Sequence, residues 1–302
     1  MDPRKANSRG ALLMMGSMLS FTLNDAAMKA LSDELPLFQA IFLRGIATTV
    51  LLYLLARAMG GLTWRLPRRD WQLIALRSLA EIGAAFFFIT ALFNMPIANA
   101  TAILQALPLS ITLAGALFLG EAVGWRRLSA ILIGFAGVML IVRPGAAGFN
   151  AYSIYALLAV VMVTLRDLSA RRLSDKVPTL TVALIAALAV MLVSGAASLA
   201  TDWQPVSGKA AMQLAAASVL VIGGYVFSVS AMRTGEIAVI APFRYTSLLW
   251  ALLLGLFVFA EWPSALTLAG AAIVVATGVY TFYRERRIAR REMAAQPGDG
   301  GC

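Results

Sequence analysis

Ionisable side chains occur inside long apolar runs of this sequence, where a charged group is costly to place. Arg77 and Glu81 are four positions apart in one such run, so on a helix they share a face and can neutralise each other. A charge at the centre of an apolar span costs on the order of 3 kcal/mol. One interpretation is structural: the pair locks its helix to a neighbouring helix. The other is functional: the Glu81 carboxylate lies near a cavity and carries a proton or a charge.

Arg244 is a second charged group in an apolar run. It follows Pro242 and precedes Tyr245, and it has no acidic neighbour in the sequence. Such an arginine either pairs with an acid on another helix, for which Asp25 and Glu81 are the candidates, or offers its forked donors to an anionic or carbonyl-bearing ligand. Both interpretations stay open.

Three further polar groups lie in apolar runs. Asn24 and Asp25 are adjacent, and Asp25 can pair with Lys29 at i, i+4 or with Arg44 in the following run. Gln105 is an amide that binds either a facing helix or a ligand. These residues have a defined place in the fold, and whether they contact a ligand is left open.

Aromatic residues accompany these groups. Tyr225 and Tyr245 occur in the second half of the chain, and three consecutive phenylalanines, 86–88, occur in the first. Aromatic side chains can stack on a flat heteroaromatic ligand, although packing between helices is their commoner role.

Several classes of chemistry are excluded by composition. The chain has no histidine, and its single cysteine is Cys302. Histidine metal ligands, histidine-based triads and an intramolecular disulfide are therefore impossible, which leaves carboxylates as the plausible proton carriers. We predict no catalytic set, no metal site and no cofactor.

The elements that position these groups follow from the hydropathy of the chain. Of the 302 residues, 60% are hydrophobic and 13% are charged, with a mean hydropathy of +0.81. Too little polar surface is available to cover a water-soluble globule, and continuous apolar runs favour helices over a transmembrane barrel. The prediction is an all-α polytopic membrane protein with ten transmembrane helices.

A duplicated segment organises these helices. Thr22–Pro36 and Thr164–Pro178 align without a gap at an offset of 142, with seven identities in fifteen positions. The repeat makes Asp167 the counterpart of Asp25, and Asp167 can also cap its helix or bind Arg171 or Arg172. Five helices per copy is an odd number, so the second copy enters the membrane in the opposite sense and the repeats are inverted.

The predicted units are residues 10–143 and 151–284, each a five-helix repeat, followed by a flexible cytoplasmic tail at 285–302. Lysine and arginine place the loops: 19 fall on one side of the membrane, three on the other and three inside helices. This distribution predicts a multi-pass protein of a bacterial-type inner membrane with both termini cytoplasmic. It also accounts for the net charge of +10 without nucleic acid as a partner.

A family resemblance rests on the segment Pro108–Glu121, PLSITLAGALFLGE, and on Gly134 and Gly137 after it. With this segment and the ten-helix duplication, the chain resembles the EamA family of the drug/metabolite transporter superfamily over about residues 10–284. The resemblance implies a carrier of amino acids, amphipathic drugs, nucleoside-like compounds such as S-adenosylmethionine, or vitamins such as riboflavin. The second half has Leu248 where the first has Pro108, so the resemblance predicts a kink at a different depth there, near Pro242.

We therefore expect a secondary transporter, and no enzyme, that moves a small organic solute by alternating access, driven by a proton on Glu81 or Asp25 or by a counter-solute. A heteroaromatic solute such as riboflavin or S-adenosylmethionine is favoured. An amino-acid or drug efflux carrier of the same fold is the alternative, and scattered ionisable residues disfavour a membrane-embedded transferase. A homodimer is left open. The candidates for substrate binding or coupling are Asn24, Asp25, Arg77, Glu81, Gln105, Tyr225, Arg244 and Tyr245.

Overall fold

The computed structural model describes residues 3–58, 62–120, 123–144, 150–174, 177–234 and 237–295. Glu121 and Asp175, which belong to the repeated sequence patterns, lie outside these residues, as do residues 296–302. The described part is all-helical. Its helices are α1 Pro3–Lys29, α2 Leu37–Ala58, α3 Arg68–Asn94, α4 Ile97–Leu104, α5 Leu107–Leu119, α6 Trp125–Val142, α7 Tyr152–Arg171, α8 Thr179–Ser198, α9 Gly208–Thr234, α10 Ile237–Ile240, α11 Thr246–Phe259 and α12 Ala265–Ala295, with a 3-10 turn at Ala241–Tyr245 between α10 and α11.

Most of these helices, alone or joined across a break, are long enough to span a membrane. Nine spans among the described residues are long and apolar enough to cross a bilayer. α1, with 27 residues, is the tenth long helix and packs along the length of α9. The prediction of an all-α polytopic membrane protein is confirmed. α12 continues as a helix to Ala295, into the segment for which a flexible tail is predicted.

Two predicted helices are interrupted. The fourth divides into α4 and α5 at Gln105 and Ala106, and the ninth contains the 3-10 turn that ends at Tyr245. Counted back from Glu121 and Glu261, Tyr245 corresponds to Gln105. The two breaks therefore include equivalent positions of the two copies, although Pro108 and Pro242 do not correspond. The sequence predicts kinks at different depths, and the observed difference in depth is small.

The main helix contacts have counterparts in the two halves. α1 packs against α9 as α7 packs against α3, and α2 contacts α9 as α8 contacts α3. The remaining long contacts, α2 with α8 and α6 with α12, join equivalent helices of the two halves. Every one of these contacts joins a helix of the first half to a helix of the second.

Glycine permits the closest of these helix contacts. At the crossing of α6 and α12, a Cβ on Gly137 would lie 2.9 Å from the carbonyl oxygen of Gly270, so neither position has room for a side chain. On α12, Gly278 lies under the ring of Tyr245. Small residues at helix crossings allow backbones to approach in this way, as the sequence predicts.

Candidate functional site

Glu81 on α3 is the centre of a group of charged side chains between the two halves. Its Oε1 lies 3.3 Å from Nη1 of Arg166 on α7, and its Oε2 lies 3.9 Å from Nη2 of Arg77. The three side chains are 17–23% exposed. The predicted Arg77–Glu81 pair is therefore present, but the shorter contact is with Arg166, which comes from the other half of the chain.

Arg166 also binds its neighbour Asp167, with 2.8 Å between Nε and Oδ1. Asp167 is thus held by Arg166, and Arg172 instead donates to the carbonyl oxygen of Phe118. The expectation that Asp167 pairs with Arg172 is wrong, because Arg172 lies past the end of α7 and turns towards α5.

Asn24 and Asp25 on α1 contribute the next polar groups. Asn24 Nδ2 donates to Asp25 Oδ1 at 2.8 Å, whereas Oδ1 of Asn24 is buried without a hydrogen-bond partner. Arg44 on α2 interacts electrostatically with Asp25, and its Nε is also buried without a partner. Asp25 therefore faces Arg44, as one sequence interpretation holds. Pairing of Asp25 with Lys29 is wrong, because Lys29 binds Glu261.

Tyr225 on α9 faces the same charges. Its ring packs edge-on against Phe21, with 5.2 Å between the ring centroids. Arg44, Arg166 and Glu81 lie within electrostatic range of its hydroxyl. The side chain is 50% exposed, and its hydroxyl lies among these charged groups.

Arg244 lies in the 3-10 turn and reaches the same region. Its side chain is exposed, and Asp167 and Arg166 are the charged groups that act on it. Within the described residues no hydrogen bond or ion pair engages its guanidinium. The expected partners Asp25 and Glu81 are therefore not the acids nearest to it, and its five N–H donors stay available.

Gln105 and Tyr245 join the two helix breaks. Gln105 Nε2 donates to Ser247 Oγ at 2.8 Å and to the carbonyl oxygen of Tyr245 at 3.4 Å. The Tyr245 ring is buried against Gly278, and its hydroxyl has no hydrogen-bond partner. Both residues thus make the helix contact that the sequence offers as one of two interpretations.

The phenylalanines at 86–88 form an aromatic contact between α2, α3 and α7. Phe86 stacks on Phe38 at 5.7 Å, and the ring of Phe87 lies 5.8 Å from that of Tyr155. Phe88 packs against the hydrophobic core. This contact fixes α3 against its neighbours beside Glu81.

Two grooves open elsewhere. One, of about 240 Å³, lies between α1 and α9 beside Leu12, Gly16 and Phe227. The other, of about 280 Å³, runs beside Pro242 and Leu249. Apolar side chains provide most of both linings, so neither groove matches the charged groups described above.

Seven charged residues therefore converge, and we call them the central charge cluster: Asp25, Arg44, Arg77, Glu81, Arg166, Asp167 and Arg244. With every group ionised, four arginines and three carboxylates leave one positive charge in excess. The eight candidates named from the sequence do not include Arg44, Arg166 or Asp167. The sequence nevertheless offers Arg44 as a partner for Asp25, and the repeat makes Arg166 and Asp167 a candidate pair because they align with Asn24 and Asp25.

Comparison with known proteins identifies the family of this chain. The model of the EamA-like transporter family matches residues 8–143 and again residues 150–283. The chain belongs to the EamA-like transporter family. A solved crystal structure has the same fold, with a TM-score of 0.66 over 93% of this chain and 99% of its own, at 21% identity.

Relatives of this EamA-like protein are named as transporters. An S-adenosylmethionine uptake transporter of Rickettsia conorii is 25% identical over 98% of this chain and 99% of its own length. A pseudopaline exporter of Pseudomonas aeruginosa is 28% identical over 88% and 93%, and a riboflavin transporter of Vibrio cholerae is 28% identical over 94% and 96%. The EamA-like protein is thus a multi-pass membrane transporter for a small molecule and not an enzyme.

Proposed function

We propose that this transporter carries a small organic metabolite that combines a flat heteroaromatic ring with an anionic or carbonyl-bearing group. The central charge cluster is the observation that carries this proposal. Its excess positive charge lies in a low-dielectric span, where an anionic group gains more than it would in water. The unengaged guanidinium of Arg244 supplies a fork of donors for such a group.

The aromatic part of the proposal rests on Tyr225 and Phe21. Their edge-on pair lies beside the charged groups, and half of the Tyr225 side-chain surface is exposed. Aromatic rings of this kind stack on flat ligands. S-adenosylmethionine and riboflavin, for which two relatives are named, each contain a flat heteroaromatic ring.

Inverted repeats and alternating access are part of the same proposal. When each helix is replaced by its counterpart in the other half, the same helix contacts are found, and so is a specific hydrogen bond. Gln39 Oε1 accepts from the Gln204 backbone N–H at 2.9 Å, and its repeat counterpart Thr181 Oγ1 accepts from the Thr63 backbone N–H at 3.3 Å. These two links connect the same pairs of segments in the two copies, which supports a two-fold relation between the halves.

Asp25 is the proposed coupling group if a proton drives transport. Glu81 has two arginine partners, and neutralising it would leave Arg77 without its carboxylate and Arg166 with Asp167 alone. Asp25 has an amide hydrogen bond and Arg44, so it can exchange a proton with less loss of pairing. Exchange against a second solute is the alternative driving force. The charge distribution of the loops supports cytoplasmic termini in an inner membrane.

Uptake by the purified protein in proteoliposomes tests the proposal. Labelled S-adenosylmethionine and riboflavin should show saturable uptake that unlabelled compound inhibits, and empty liposomes should show none. A pH gradient of either sign should change the rate if a proton is coupled, and the change should be absent in Asp25→Asn. Saturable transport of amino acids with none of either heteroaromatic compound would contradict the substrate class and favour the amino-acid carrier.

A further inference from the structure

Lys29 and Glu261 form an ion pair outside the central charge cluster. Lys29 is the last residue of α1, and Glu261 lies in the turn between α11 and α12. The Lys29 Nζ is 3.1 Å from Glu261 Oε1, with side-chain exposures of 10% and 21%. These two residues are 232 positions apart and belong to different halves of the chain.

Both members of the pair bind further groups. The Lys29 ammonium donates to the carbonyl oxygens of Leu92 at 3.1 Å and Met95 at 2.7 Å, which belong to the end of α3 and to the residue after it. The second carboxylate oxygen of Glu261 accepts from the backbone N–H of Ile97, the first residue of α4, at 2.9 Å. One ion pair thus ties together the ends of α1, α3, α4 and α11.

The pair lies between the central charge cluster and one end of the bundle. Lys29 is one turn beyond Asp25, about 6 Å along α1, and Leu92 is about 16 Å beyond Glu81 along α3. The helices that it joins include those that carry Asp25, Glu81 and the Gln105 break. These helix ends therefore meet beyond the cluster, at the end of the bundle where Lys29 lies.

The opposite end of α1 is closed differently. Met14 and Met18 pack with Ile240 there, and Phe243 and Trp250 lie against them. These contacts are apolar, so separating them leaves no buried charge. Neutralising a residue at the Lys29 end would therefore leave a charge without its partner, whereas a substitution among the apolar contacts at the other end would not.

From this arrangement we infer that the Lys29–Glu261 ion pair is a gate, which closes the pathway at its own end and opens when the two side chains separate. The inference rests on the proposed alternating access. Removing one member of the pair leaves the other buried and unpaired, which disfavours the closed arrangement. The gate residues position helices and do not contact the solute.

Cysteine accessibility tests the gate. Because Cys302 is the only cysteine, Cys302→Ser gives a cysteine-free chain, and Tyr225→Cys then places a half-exposed thiol beside the central charge cluster. A membrane-impermeant thiol reagent is applied to right-side-out and inside-out vesicles in separate arms. Lys29→Met and Glu261→Gln should each raise the labelling rate from the Lys29 side at least tenfold, with no rise from the other side.

Lys209→Met is the matched control. Lys209, near the start of α9, also pairs with an acid at the same end, Glu34 at 3.0 Å, but its side chain is 66% exposed. It should leave both labelling rates unchanged. Lys29→Arg keeps the charge and should retain slow labelling.

Two outcomes would overturn the gate: unchanged labelling from the Lys29 side in both neutral variants, or equal rises from both sides. A variant that fails to fold is recognised by its thermal unfolding in detergent, and the other neutral variant then decides. The labelling rates are independent of the solute. Failure of uptake for every heteroaromatic compound would therefore contradict the proposed substrate without bearing on the gate.

Discussion

Arg166 on α7 reaches Glu81 on α3, with 3.3 Å between Nη1 and Oε1, and the same guanidinium holds Asp167 at 2.8 Å. The two partners of the longer contact are 85 residues apart, and they come from different halves of the chain. Neither half can build the central charge cluster alone. A group shared in this way responds to any movement of one half against the other, as alternating access requires.

Glu81→Gln should reduce the transport rate at least about tenfold, because it leaves Arg77 and Arg166 without their shared counter-charge. Loss of one partner of a buried pair costs about 3–5 kcal/mol. We expect about 1–3 kcal/mol here, because the side chains are about a fifth exposed and partly screened. Uptake rates and thermal unfolding in detergent measure the two effects.

Arg77→Gln is the control for that substitution, since its contact with Glu81 is 3.9 Å long. It should lower the unfolding temperature less than Arg166→Gln does. A double-mutant cycle of Glu81→Gln with Arg166→Gln should show coupling, and strictly additive effects would mean that the two side chains do not interact in the protein.

Arg244→Gln should weaken the apparent affinity for the solute by about 10–100-fold, because a hydrogen bond to a charged group contributes about 1.5–3 kcal/mol. Stability should change little, since no described hydrogen bond or ion pair engages this guanidinium. The measurement is the concentration dependence of uptake, with Arg233→Gln as the control because Arg233 is an exposed arginine at the end of α9. An unchanged concentration dependence would remove Arg244 from the binding site.

The helices and their membrane setting could be predicted from the sequence because the bilayer imposes a strong rule. A lipid-embedded backbone has to satisfy its own hydrogen bonds, so apolar runs of sufficient length become helices. The repeated segment beginning at Thr22 and Thr164 likewise predicted where equivalent helices begin and end. The i, i+4 rule found Arg77 with Glu81 for the same reason, because helical periodicity fixes which neighbours share a face.

Partners from distant segments could not be predicted in this way. Lys29 has Asp25 at i−4, yet it binds Glu261, and Glu81 binds Arg166 more closely than Arg77. Helix packing decides these contacts, and an apolar sequence contains little information about which faces meet. The repeat offers a partial remedy, since counterparts of a polar residue, such as Asp167 for Asp25, are candidates for the same site.

Gly278→Ala should destabilise the protein by about 1–3 kcal/mol, because an added methyl group would overlap the Tyr245 ring and force a tightly packed contact apart. Thermal unfolding in detergent measures the effect. Gly208→Ala is the matched control, since a Cβ there meets no atom within 4 Å. Tyr245→Phe removes the hydroxyl, which is the atom nearest to the added methyl group and has no hydrogen-bond partner, so its combination with Gly278→Ala should recover part of the loss. An equal or greater loss in the double variant would contradict the assigned contact.

The contacts of Glu34, in the turn between α1 and α2, should make the stability of the protein depend on pH. Its carboxylate accepts hydrogen bonds from Ser207 Oγ at 2.6 Å and from Lys209 Nζ at 3.0 Å, and these lower the pKa of Glu34 below its ordinary value of 4.5. A lowered pKa in the folded state means that the contact stabilises the protein fully above pH 4.5 and loses its effect as the pH falls through the lower value.

Unfolding temperatures of the parent protein and Glu34→Gln should therefore differ at neutral pH and converge as the pH falls below 4.5. The difference should be small, because the carboxylate is solvent-exposed, and it should shrink further at high salt. Asp33→Asn is the matched control, since it changes an exposed acid in the same turn that makes neither of these contacts. A difference between the parent and Glu34→Gln that stays constant from neutral to acidic pH would mean that the Ser207 and Lys209 contacts do not favour the ionised carboxylate.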